Sequence, residues 1–523
     1  MTASTSRLDH RASEYEEETV RTIQPRSPRN LRDGAGRPAP EAPAAPVPAD
    51  LEVPALIVKI GRYPLHHGGV GAIRTLGRLG IPVYAITEDS FTPAAVSRYC
   101  RGSFVWPTTG REDPDRLVDE LMEIGKKIGR RTVAVPTDEE AAVLLAEHAS
   151  RLSAHFLLPD VQPSLPRKLA SKQGLYELCR EHGVPTPGSA FPATPAALAS
   201  FASQASFPVV AKNLEAWVRR QRPAVAGTTI FGTEQELLAA AGDWGAEPSV
   251  ILQEYIPREQ AQDWIVHLYC DADSNCLVEF TGIKMRSWPP HAGMTACART
   301  VPNPALARAA ARFCKRIGFS GIADLDWRLD LRDGKYKLLD FNPRVGAQFR
   351  LFETEAGLDV VRAMHLDLSG RPVPASPQVN GRKLVVENID PLARLAYRGQ
   401  GRLPGLPVRT ERGRKELAWI ATDDPLPFVA MSARLIGPAI AHLSRALRSR
   451  KLRRRAAREA RAGIRTRDQD YGAGSRFRRA RDGRRTAQPG GRDGHPAGQD
   501  QRDCPGARHD RQAAHAGRAA KGR

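Results

Sequence analysis

The chain has 523 residues, of which 41% are hydrophobic and 26% charged, and a formal net charge of +20. From Arg445 to the end stand 24 Lys/Arg against 8 Asp/Glu, a net +16, so the remaining body carries only +4. A body that close to neutral excludes a polyanion as obligatory partner, and no run approaches the roughly 18 apolar residues of a membrane span.

Taken in chain order, residues 1–50 are rich in Pro, Ala, Arg and Glu, lack a secretory apolar stretch, and predict a disordered leader. PALIVKI (54–60) predicts a first strand, followed by a Gly-rich turn, HHGGVG, and a helix, AIRTLGRLG. PVYAI, the strand in VSRYCRGSFVWP, TVAVPT (132–137) and HFLLPD (155–160) predict four more strands. Helices alternate with them, one capped by Asp113, which gives a parallel, Rossmann-like α/β domain over 54–160. HHGGVG has Glu88 and Asp89 about 20 residues on, but Arg74 fills the third glycine position of a dinucleotide fingerprint, which argues against an NAD site and for close backbone approach or contact with an anionic small substrate.

From 161 to 375 the pattern changes to an α+β body. It has a helix at Gln173–His182, a strand at FPVVAKNL (207–214), a basic loop at 219–230, strands at 249–256, 264–270 and 276–283, and a helix at 304–317. A C-terminal extension, 376–450, has apolar residues at helical spacing over 425–447, which predicts a helix docked on the body or, alternatively, lying on a membrane surface. The stretch from 451 to the end predicts a basic disordered tail. From Thr466 onward it contains no Leu, Ile, Val, Met or Trp, a composition that also fits a GC-rich gene read in a shifted frame. Seven scattered cysteines without a C-x-x-C pair predict reduced thiols in a cytoplasmic protein.

The chemistry concentrates in ADLDWRLDL and LLDFNPR (338–344). On an extended strand Asp340 and Asn342 share one face, and a three-residue loop ending at Gly334 would pair Leu331 with Lys335 and Asp326 with Asp340. Three hard oxygen ligands on one sheet face suit Mg²⁺ carrying phosphate oxygens, with Arg344 just beyond. Lys212 ends an apolar strand, Lys172 starts a helix, and Lys284 and Arg286 add two cations in GIKMRSWPPHAG. The strand end Glu254-Tyr255-Ile256 offers hinge backbone to a purine, and Asp263 or Glu259 an acid for ribose hydroxyls. His66, His67, Asp138, Glu139, Arg286 and Arg344 are candidate substrate contacts of mixed charge.

In this order the motifs resemble the ATP-grasp superfamily, and within it the carboxylate–amine ligases of the D-aspartate-ligase-like kind, over residues 54–375. The resemblance rests on LLDFNPR, VILQEYI (250–256) and VVAK (209–212). It implies a pre-ATP-grasp domain followed by an ATP-grasp body, with ATP and Mg²⁺ (or Mn²⁺) as cofactors. Lys172 and Lys212 would bind ATP phosphates, Glu254, Tyr255 and Ile256 would line the adenine, and Asp263 would hold the ribose. Asp326, Asp340 and Asn342 would ligate the metal. Arg344, Arg286 and Lys284 would serve the transferred phosphoryl or the substrate carboxylate. The chain departs from many relatives in carrying Asp where they carry Glu at 326 and 340, and its 219–230 loop is less glycine-rich. The implied partners are a small carboxylate and a small amine, with no specific nucleic acid. Oligomeric state stays open, a homodimer included, as does peripheral membrane contact through 425–447. Two other functions stay open: a small-molecule kinase on the same fold, and a non-catalytic nucleotide-binding scaffold with a basic tail.

Overall fold

The computed structural model describes residues 47–214, 224–225, 227–290, 293–398 and 414–437. The expectations for 1–46, for most of the 219–230 loop, for the end of the 425–447 segment and for the basic tail lie outside these residues.

Apolar runs bounded by polar turns build a five-stranded parallel sheet from β1 (Ala55–Val58), β2 (Val83–Thr87), β3 (Gly102–Val105), β4 (Thr132–Pro136) and β5 (Phe156–Leu157), in the order β3-β2-β1-β4-β5. Helices α1 (His67–Gly77), α2 (Pro114–Ile128) and α3 (Glu139–Glu147) provide the crossovers. Asp113 caps α2 as expected, accepting from the backbone N–H groups of Asp115 and Arg116. The HHGGVG segment is not a turn. It lies almost wholly inside α1, capped by His66, because the glycines admit close neighbours: a Cβ on Gly68 would stand 2.9 Å from Ala347 Cα. In this strand order the direction reverses between β1 and β4, where an open parallel sheet forms a crevice at its carboxyl ends.

A smaller antiparallel sheet holds β6 (Ser189–Ala190), β7 (Val209–Asn213), β8 (Thr228–Phe231) and β9 (Val250–Glu254), and is covered by α5 (Pro195–Gln204) and α6 (Glu234–Ala241), whose Leu198, Ala202 and Leu237 pack on it. Helix α4 (Lys172–Glu181) precedes it. Residues 228–230 of the expected basic loop belong to β8. At its base Asn213 exchanges two hydrogen bonds with the Val225 backbone, at 2.7 and 3.2 Å.

The largest sheet has seven strands in the order β14-β13-β10-β11-β12-β15-β16. They are β10 (Ala261–Cys270), β11 (Cys276–Trp288), β12 (Met294–Thr300), β13 (Gly321–Asp330), β14 (Lys335–Asn342), β15 (Lys383–Val385) and β16 (Lys415–Leu417). The alternation in β13 sends Leu325 and Trp327 to one face, where they pack with Phe313 and Cys314 of α7 (Pro304–Ile317) and with Leu175 and Leu178 of α4. On the other face Ile265, Phe280 and Ala298 join a core shared with β1, α1 and α8 (Val360–Leu368). β11 runs on through Trp288, past the expected end at 283, and so carries Lys284 and Arg286, and β12, β15 and β16 were not anticipated.

Residues 426–437 form a helix docked on the core through Phe428 and Met431. Just before it, Asp424 pairs with buried Arg74 at 2.9 Å and accepts from Ser97 Oγ at 2.7 Å, while Asp423 pairs with Arg78 at 2.8 Å. At the other end Asp50 is buried and pairs with Arg371 at 2.7 Å, so the packed chain begins before residue 51.

Candidate active site

The β13–β14 register decides which acids meet. Asp326 lies opposite Asp340 and Asp324 opposite Asn342, as the alternation predicted. The route differs from the expectation. Asp330 pairs with Lys335, so the hairpin loop is 331–334, four residues long, and an extra residue on β14, Leu339, restores the pairing through a bulge between Asp326 and Trp327. Gly334 closes the loop at φ +70°, where a Cβ is disfavoured.

Asp324, Asp326, Arg328 and Asp330 therefore stand on one face of β13. Lys284, arriving on β11, places its Nζ 2.7 Å from Asp326 Oδ1, and Lys172, at the first turn of α4, pairs with Asp340. Burial pushes the Asp326 carboxyl up, and Asp324 and Asp340 add like-charge repulsion that Lys284 offsets only in part. Burial also opposes the Asp340 charge, but Lys172 and Lys212 outweigh it and hold that carboxyl low. Half-buried Lys212, on β7, has no ion pair among the described residues. Desolvation, with the neighbouring Lys172 charge, pulls its ammonium down to about 8.

The donor set fits a hard divalent cation. Two carboxylates and the Asn342 amide share a sheet face, and the Lys284 ammonium 2.7 Å from Asp326 Oδ1 takes up part of the negative charge there. Among the described residues no group of three or more His, Cys, Asp or Glu is spaced to hold a metal alone, so an ion here would also need the amide and oxygens from a ligand. Mg²⁺ commonly binds in that way, through one or two carboxylates plus phosphate.

Arg344 follows the strand end and is clamped between two layers. Its Nη1 donates to Asp324 Oδ2 at 2.8 Å and its Nε to Glu139 Oε1, at the start of α3, at 3.0 Å. Asp324 also accepts from Gln348 at 3.1 Å and lies 2.8 Å from His267 Nε2. Burial opposes the Asp324 charge, but His267 and Arg344 overcome it and keep the carboxyl well below its usual range. A Cβ on Gly346 would come within 2.5 Å of both Asp324 Oδ2 and His267 Cε1, so only glycine fits there.

At the β9 hinge, Glu254 is held by Arg332 and by Lys337 at 3.3 Å. Arg328 Nε donates to Asp263 at 2.7 Å and its Nη1 to the Ile256 carbonyl at 3.4 Å.

No family model matches the chain. A D-aspartate ligase of Enterococcus faecium (strain Aus0004) is 24% identical over 292 residues, 53% of this chain and 68% of that protein. The chain is thus similar in sequence to a D-aspartate ligase. Among solved structures, an L-amino acid ligase from Bacillus licheniformis matches with 17% identity and TM-score 0.45, over 63% of this chain and 76% of that one. An N5-carboxyaminoimidazole synthetase from Staphylococcus aureus, complexed with ADP, matches with 11% identity and TM-score 0.48, over 64% and 81%.

In this chain Lys172, Lys212, Lys284, Asp326, Asp340 and Asn342 come together, with Arg344 one layer away and Glu254, Tyr255, Ile256 and Asp263 along the hinge. Arg286 does not join them. It pairs with Asp390 of α9 (Asp390–Ala396) at 2.8 Å, because that carboxylate is almost wholly buried and needs a cation. Nor is Asp138 free for a substrate. Its oxygens accept from the backbone N–H groups of Ile60, Gly61 and Ala141 at 2.7–2.9 Å, and burial pushes its pKa up to about 6. His66 spends Nδ1 on the Gly69 N–H at 3.0 Å, and burial, then the His67 and Arg344 charges, keep it neutral with a pKa of about 3. His67 packs edge-on against Trp419, and its Nε2 is left without a partner. Sequence reasoning passed over Arg328, His267 and Gln348 and left Asp324 out of the ligand set. Two of them, Asp324 and Arg328, were signalled by position, two residues either side of Asp326.

Proposed function

We propose that this chain is an ATP- and Mg²⁺-dependent ligase that activates a small-molecule carboxylate as an acyl phosphate and couples it to an amine. The carrying observation is the Asp326–Asp340 register with Asn342 beside it and three lysines aimed at the same point. The kinship with D-aspartate ligase supports the same reading.

A carboxylate is a poor electrophile, so an amine cannot displace oxide from it directly. Phosphoryl transfer gives the carboxylate a leaving group, and the amine then expels phosphate to form the amide. Little covalent work falls to the protein, whose tasks are positioning and charge neutralisation. Asp326, Asp340 and Asn342 would hold Mg²⁺, which supplies Lewis-acid neutralisation of the γ-phosphoryl oxygens when bound. Lys172 and Lys212 bind polyphosphate oxygens, and Lys284 holds Asp326 in the ligating rotamer. Glu254, Tyr255 and Ile256 line the base and Asp263 the ribose. Arg344, held by Asp324 and Glu139 at the mouth of the β1/β4 crevice, orients the substrate carboxylate in line with the phosphoryl group.

Screening amino acids pairwise for ATP-dependent phosphate release, with mass detection of product, tests the proposal. An amide plus ADP and phosphate is expected. A stable phosphate ester of a hydroxyl substrate would replace the ligase with a kinase.

A further inference from the structure

Three thiols converge far along β10 from the hinge. Cys270 ends β10, Cys276 opens β11, and the two are partners in the antiparallel register. Their Sγ atoms stand 2.7 Å apart. Cys314, wholly buried on α7, packs in the same apolar cluster.

We propose that Cys276 and Cys270 form a reversible disulfide on exposure to a hydroperoxide, with Cys276 as the attacking thiol and Cys270 as the resolving one. The sulfurs need close less than one further ångström to reach the about 2.05 Å of a disulfide, and directly opposed strand positions bring the backbones within bridging range. The loop between them is braced for that approach. Asp271 accepts from the Asn275 N–H at 2.7 Å, and Lys315 Nζ donates to the Asp273 carbonyl at 2.6 Å and to Asn275 Oδ1 at 3.0 Å. Access sets the order of attack: Cys270 is fully buried and Cys276 only half-buried, so oxidant meets Cys276 first. The Cys270 thiol, 2.7 Å away, stabilises a thiolate at Cys276 and pulls its pKa down.

The chemistry balances as a two-electron oxidation. The Cys276 thiolate attacks one peroxide oxygen, breaks the O–O bond and releases hydroxide, leaving a sulfenic acid. The Cys270 sulfur then displaces that oxygen; with the thiol proton it leaves as water, and the S–S bond forms. Overall two thiols are oxidised and one peroxide is reduced to two waters. The loop closed is short, so the bond marks a redox state without adding much chain constraint.

The full-length protein, reduced and then exposed to hydrogen peroxide, is blocked with N-ethylmaleimide and cut before aspartate and after lysine and arginine, which severs the chain at Asp271 and Asp273 and puts Cys276 (273–284) and Cys314 (313–315) on separate peptides. The expected product is the Cys270 peptide joined to the Cys276 peptide, 2 Da lighter than the pair of free thiols, and separated again by dithiothreitol. Cys314→Ser retains the crosslink. Cys276→Ser loses it and leaves Cys270 alkylatable. Full alkylation of both cysteines in the wild type, or a dominant bond to Cys314, overturns the assignment. The wild-type measurement decides even if a variant fails to fold.

Discussion

Among the clusters of buried charge in the described residues, those around Asp424 and around Asp326 and Asp340 differ in completeness. Around Asp424, Arg74 Nε, Ser97 Oγ and the Arg98 N–H all reach one carboxylate, while the second arm of Arg74 takes the Trp419 and Asp424 carbonyls. Nothing there is left wanting a partner. Around Asp326 and Asp340, Lys284 and Lys172 each hold one carboxylate, while Lys212 beside them has no ion pair among the described residues. A satisfied cluster is a fastener. A cluster that leaves donors and acceptors aimed at a common point is built to be completed by something else.

That contrast can be broken by experiment. Asp340→Asn and Asn342→Ala should each cut Mg·ATP turnover by about 10³-fold or more while shifting the thermal midpoint by only a few degrees, measured by phosphate release and scanning calorimetry. A collapse in stability with turnover per folded molecule preserved would reverse the roles assigned to the two clusters. Asp424→Ala should do the opposite. It strands buried Arg74 and should cost about 3–5 kcal/mol in urea unfolding, with the turnover of the folded fraction unchanged.

A smaller effect distinguishes Lys212. Lys212→Ala should weaken ATP binding about tenfold by calorimetry. Because the ammonium is depressed to about 8, wild-type affinity should fall as pH rises through 8, and Lys212→Arg should flatten that slope. The stability effect has the opposite sign. Between about 8 and the ordinary lysine range near 10.5, the unfolded chain holds a proton that the folded chain has released. Folding stability from this group therefore rises with pH across that window. The smallest effect expected is from removing 466–523, which should leave turnover within about twofold, since a stretch with no Leu, Ile, Val, Met or Trp supplies no core.

Much of this was legible in the alternation of single strands. Asp324, Asp326, Asp340 and Asn342 are two apart on their strands, and the spacing alone put them on common faces. The βαβ succession likewise announced the parallel sheet. What stayed hidden depends on long-range pairing. Asp390 captures Arg286 from about a hundred residues away, and Asp138 is consumed by backbone N–H groups at 60 and 61. No local pattern reports either. The HHGGVG glycines misled only in suggesting a turn: they serve the close approach of Ala347 and Arg350 to α1, as a close-approach reading of them expects.

The extra residue at Leu339 has an evolutionary consequence. The tip of the hairpin and the spacing of the ligands are set by two separate devices, a four-residue loop and a bulge, whose offsets cancel. An insertion or deletion at 331–334 can thus be absorbed by gaining or losing the bulge, leaving the acids opposite one another. The site is insulated from length drift at its most exposed end, so homologous hairpins of unequal length can still present the same ligand geometry.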